Sequence, residues 1–119
     1  MSTLDRSSIL GFNDAKVIRL HVPEWGGDCF IRTLTGGERD SFEASCLDNK
    51  TGKATKLVNY RARFAALVLS DETGKPLFDA SDVTLLAKKN AAALDRILDA
   101  GLALNGMSKD SIESAEENS

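Results

Sequence analysis

The chain reads as an α+β protein: an antiparallel β-hairpin followed by three to four helices, mostly helical. Three observations predict this. Two aliphatic runs, KVIRLHV at 16–22 and CFIRTLT at 29–35, flank PEWGGD, whose Pro23, Gly26 and Gly27 mark a turn. After that the apolar spacing changes to the helical period, at Leu57, Tyr60, Phe64, Leu67 and Val68, and again at Leu94, Ile97, Leu98, Gly101 and Leu102. With 119 residues, 42% of them hydrophobic, the chain has the size and composition of one ordinary domain, able to form a core without metal or disulfide.

Three parts are expected: a flexible N-terminal arm at 1–15, a single α+β domain at 16–106, and an acidic, disordered tail at 107–119. The arm is mixed and polar, broken by Gly11, Asn13 and Asp14. Strands are expected at 17–22 and 29–34, for their β-branched and aliphatic content. A lone hairpin is marginal in water, so helices must cover one face.

Helices are expected near 37–47, 57–69, 82–87 and 91–104. Thr35 with Glu38 three residues on has the pattern of a capping box. The stretch from Phe64 to Leu69 is apolar all round, which makes this helix the central one. Asp71, Thr73 and Gly74 are read as its stop, and Ser81 or Asp82 as the cap of the short helix that follows. Asn90 caps the last helix and Gly106 ends it. The expected core is Val17 or Ile18, Ile31, Phe42, Phe64, Leu67, Val68, Leu86, Leu94, Ile97 and Leu98.

Composition excludes several function classes. Fifteen Lys and Arg against eighteen Asp and Glu give a formal charge of −3, which argues against nucleic-acid binding and a polybasic membrane role. No run approaches the roughly 20 apolar residues of a membrane span, and none resembles a signal peptide, so a cytoplasmic location is expected. Cys29, Cys46 and the single His21 have no zinc spacing. The thiols read as buried and inert, and His21 as a satisfied structural histidine. Arg61 and Arg63 read as a solvated helix face.

No catalytic constellation stands out. The Gly pair of TLTGGERD lacks the Lys of a phosphate loop and reads as a helix start. Asp95 and Asp99, one turn apart, read as solvated acids rather than a catalytic pair. No catalytic, cofactor-binding or metal-binding residue is named, and no cofactor is expected. Trp25, in the hairpin loop, is either an exposed anchor or folded back over its own hairpin; the residues alone do not choose.

Two longer stretches carry a resemblance. VPEWGGDCFIRTLTGGERDSFEAS (22–45) and RARFAALVLSDETGKPLFDASDVTLLAKKNAAALDRILDAGLALNGMS (61–108) are similar to the tail assembly chaperones of siphophages of the lambdoid type and their prophages. The combination of GKPLF, a following DV, then KN, ALDRI and LNG carries the likeness more than any single piece.

The resemblance implies a non-enzymatic assembly factor. Such a protein holds the tape measure protein soluble and helps recruit tail tube subunits, in the host cell cytoplasm and not in the mature virion. It also implies a frameshifted longer form as a partner, and leaves room for self-association, with no nucleic-acid or membrane partner. The alternative is a structural head–tail or tail component of the virion. Trp25, Leu85 and Leu104, lying in a loop or off the main stripes, are the candidate partner-binding residues.

Overall fold

A computed structural model describes residues 3–46 and 58–107. The hairpin forms as expected. β1 (Val17–Val22) pairs antiparallel with β2 (Gly27–Arg32), with Ile18 opposite Ile31 and Leu20 opposite Cys29. The second strand starts two residues earlier than the expected 29–34. Its turn is tight: Pro23–Trp25 form a single 3-10 turn, and Gly26 closes it at φ +72, a left-handed conformation that suits glycine. Gly27 and Asp28 are therefore already in the ladder.

The helices follow. α2 (Gly36–Ser45) carries the expected capping box, with Thr35 and Glu38 each satisfying the other's backbone N–H. α3 (Tyr60–Val68) begins at Asn59, which holds φ +58, and ends one residue short of expectation. The next two residues form β3 (Leu69–Ser70), a third strand paired antiparallel with β2, so the sheet order is β1-β2-β3. Asp71 does not stop the helix; it builds the turn after the strand. Its carboxylate accepts from the N–H groups of Thr73 and Lys75 and from the Thr73 hydroxyl. The chain then returns, with Leu77 N–H bonded to Leu69 O and Pro76 bridged to Ser70.

A 3-10 turn at Ala80–Asp82 leads into α4 (Val83–Leu86). The cap of this pair is Asp79, which accepts from Ser81 N–H, and neither Ser81 nor Asp82 supplies the side-chain cap of α4. α5 (Ala91–Leu104) starts at Asn90, whose side chain accepts from Ala93 N–H. It ends in a Schellman motif: Gly106, at φ +65, donates to Ala103 O, and Met107 donates to Leu102 O. This motif turns Met107 back onto Leu102, and both are buried. Met107 therefore belongs to the domain, not to the tail as expected; residues 108–119 lie outside the described ones.

The core lies between the sheet and the helices α2, α3 and α5. Ile31, Phe42, Phe64, Val68, Leu86, Leu94, Ile97 and Leu98 are buried as expected. Three expected core residues are not fully buried. Ile18, at the start of β1, is 40% exposed, and Val17, on the opposite face of the strand from Val22, is half-buried beside Gly74. Leu67 is half-buried, since it faces a groove described below.

α3 and α5 cross closely at Gly101. A Cβ there would stand 2.6 Å from Phe64 Cε2 and 3.4 Å from Val68 Cγ2. Alanine favours a helix by about 1 kcal/mol over glycine. Even so, Gly101→Ala is expected to cost about 1–3 kcal/mol through overpacking. A denaturant midpoint equal to or above that of the unmodified chain would mean that the Phe64 ring moves aside freely.

Candidate functional site

The charged groups are largely used in holding elements together. Arg32, buried on β2, makes a two-pronged pair with Glu38 of α2, Nη1 to Oε1 at 2.9 Å and Nη2 to Oε2 at 2.8 Å. Glu38 also accepts from Thr35 N–H. The Arg32 guanidinium, followed by that backbone N–H, holds the Glu38 carboxyl down at about 2. The N-terminus of α2 is thus already occupied by a carboxylate of its own chain.

Arg61 of α3 pairs with Asp95 of α5, and Arg96 of α5 holds Glu24 of the hairpin turn through two hydrogen bonds of 2.8 and 3.1 Å. Arg63 donates to the Ser45 carbonyl and hydroxyl. The two arginines read as a solvated face thus tie helices together. Asp95, one of the two acids read as solvated, is a partner of that pairing.

His21 differs from expectation in its surroundings. It stands on the outer face of the hairpin, exposed, with Nδ1 2.8 Å from Asp28 Oδ1. That contact, with Arg19 beside it, lowers the Asp28 carboxyl below its usual range. Cys46 is buried. Cys29 is half-buried, and that burial, with the charge of Asp28 beside it, pushes its thiol up. Among the described residues no group of three or more His, Cys, Asp or Glu could hold a metal ion, and no helix is long and apolar enough to cross a membrane.

The candidate contact residues fall in three places. Trp25 is 39% exposed, in the turn packed against α5. Leu85 is 61% exposed, on α4, which packs on α3. Leu104 is half-buried against the core at the end of α5, so its side chain is partly spent on the fold. The next residue, Asn105, accepts from Leu34 N–H at 2.7 Å and donates to Gly101 O at 2.9 Å, which fastens the end of α5 to the end of β2.

Sequence reasoning missed a groove of about 860 Å³ beside α2 and α3. Phe42, Ala66, Leu67, Pro76, Phe78, Ala80 and Val83 make its apolar lining; Arg32, Arg63, Glu38 and Asp79 are its charged groups. None of the three candidate contact residues lines it. The signal was partial: Leu67 lay on the expected apolar stripe, but its half-burial depends on where α2 sits.

These features define a small α+β protein with a partly apolar groove and several exposed apolar side chains. The chain belongs to the phage tail assembly chaperone family, whose family model matches residues 7–118. The fold is similar to that in "Structure of bacteriophage HK97 tail assembly chaperone", at a TM-score of 0.56 and 17% identity, covering 76% of this chain and 87% of that one. No match was found among curated proteins.

Proposed function

We propose that this protein keeps the tape measure protein soluble during tail assembly and helps bring tail tube subunits to it, without catalysis. The family match over 7–118 carries the reading. The exposed apolar side chains support it, since a client with long apolar helices needs apolar surface to rest on. Leu85 and Trp25 are the better contact candidates, and Leu104 the lesser one, because of its packing. The work is proposed to be done in the host cytoplasm, with the protein left out of the finished particle. A longer, frameshifted form would supply the contact with the tube.

The test is co-expression with the tape measure protein of the same phage or prophage. The intact chain should raise the soluble fraction of that protein several-fold, and Leu85→Glu with Trp25→Ala should remove most of the gain while the melting curve holds. No gain from the intact chain would sink the reading. Finding the protein at fixed stoichiometry in purified particles would favour a structural virion part instead.

A further inference from the structure

The two edges of the sheet are not equally closed. On one side the chain returns beside β3: Leu77 N–H bonds to Leu69 O, and Pro76 bridges Ser70. On the other side lies β1, the outer strand in the order β1-β2-β3. A regular outer strand presents alternate backbone N–H and C=O groups that its own sheet does not pair.

The ladder shows which groups these are. Thr33 N–H bonds to Lys16 O at 2.9 Å, so the Lys16 backbone faces β2. Ile18, Leu20 and Val22 repeat that position at every second residue, opposite Ile31, Cys29 and Gly27. Val17, Arg19 and His21 therefore point their N–H and C=O groups away from β2. The alternation agrees on β2, where Arg32 O and Leu34 N–H turn away from β1 and bond to the Asn105 side chain. Among the described residues, no backbone hydrogen bond outside the ladder reaches Val17, Arg19 or His21. The preceding arm does not supply one. It contains α1 (Arg6–Gly11), and its own hydrogen bonds stay inside residues 3–15.

Such edges are commonly guarded by a proline, a bulge or outstretched charges. β1 contains no proline and pairs residue for residue with β2, without a bulge. Its basic side chains are drawn inward over β2. Arg19 bonds to Asp28 at 3.3 Å and lies over the Phe30 ring at 5.0 Å, and His21 Nδ1 stands 2.8 Å from Asp28. The backbone edge is left unguarded.

Charge decides what fits there. From Lys16 to Val22 the chain carries Lys16, Arg19 and His21 and no acid, and the single Asp28 is shared by Arg19 and His21. A second β1 laid antiparallel along this edge would set basic side chains against basic ones, which is destabilising. An extended segment with acidic side chains on the Arg19 face meets attraction instead. Its other face lies beside Ile18, which is 40% exposed, and the half-buried Leu20, and so suits apolar side chains.

We propose that the open edge of β1 receives an extended acidic segment of another protein as a fourth strand, its acids beside Arg19 and His21 and its apolar residues, alternating with them, beside Ile18 and Leu20. Backbone bonds to Val17, Arg19 and His21 give the attachment, and the alternation of side chains sets the register. The tape measure reading rests on the family match and on Trp25 and Leu85, so neither proposal stands or falls with the other.

The experiment follows backbone amide exchange in the isotope-labelled full chain by NMR, with the capped peptide SVEVEVTS as the probe. Saturating peptide should slow exchange about ten-fold or more at Val17, Arg19 and His21 and leave Ile18, Leu20 and Val22, already bonded to β2, unchanged. The basic peptide SVKVKVTS should bind about ten-fold more weakly, and Arg19→Glu should reverse that preference. Methylating the valine nitrogens blocks one edge of the peptide and methylating the glutamate nitrogens blocks the other. One set should abolish the slowing and the other should keep it. No slowing with millimolar peptide, equal loss with both methylated sets, or equal binding of the acidic and basic peptides would overturn the proposal. So would amides of Val17, Arg19 and His21 that are protected without peptide and more so as the chain is concentrated, because another copy would then hold the edge.

Discussion

Replacing Phe64 with alanine should lower the free energy of unfolding by about 3–5 kcal/mol. Phe64 is fully buried on α3. Its ring meets that of Phe42 edge to face, with centroids 5.2 Å apart, and so joins α2 to α3. Its other edge fills the space left by Gly101, and so joins α3 to α5. Alanine would open a cavity where three helices meet, and the surrounding backbone has little freedom to collapse into it. Urea melts give the value directly. A loss below about 1 kcal/mol would mean that α3 is not the centre of the fold. Combining Phe64→Leu with Gly101→Ala offers a second reading: direct contact predicts that the two effects are not additive.

Glu38→Ala is expected to cost about 3 kcal/mol, because it leaves the buried Arg32 guanidinium without its carboxylate. The geometry makes the loss large for a pair at the margin of the protein. Both prongs of the fork are engaged, and Arg32 Nε has no hydrogen-bond partner among the described residues. The same change removes half of the capping box at the start of α2.

The pair also makes stability depend on acid. The folded-state carboxyl lies near 2, below its ordinary 4.5, so the pair's contribution is fully present above about 4.5 and is lost as pH falls toward 2. Glu38→Gln should flatten that part of the stability–pH curve, whereas Asp40→Asn, at an exposed position on the same helix, should leave its shape alone. Equal acid sensitivity in the intact chain and the Glu38→Gln variant would show that the pair does not set it.

Much of the architecture was legible in the order of residues. The hairpin, the Thr35–Glu38 box, the Asn90 cap, the Gly106 stop and most of the core follow from local rules, because caps and apolar periods act within one or two helical turns. The family was legible too, through combined stretches such as GKPLF and LNG.

What required tertiary structure was every choice settled by a distant neighbour. Leu69 and Ser70 continue an apolar helical stretch in sequence, yet they become a strand because β2 offers an open edge with backbone groups to satisfy. Met107 looks like the first residue of a polar tail, and it is buried because the left-handed Gly106 turns it onto Leu102. Arg32 looks like a solvated position in an aliphatic strand, and it is buried because α2 brings Glu38 to it. The groove is of the same kind. Its lining comes from separate elements, and no single stretch of sequence contains enough of it to show a surface. The chain alone therefore determined the elements and the family, because those are local or combined patterns. Packing decided which apolar faces were closed and which were left open.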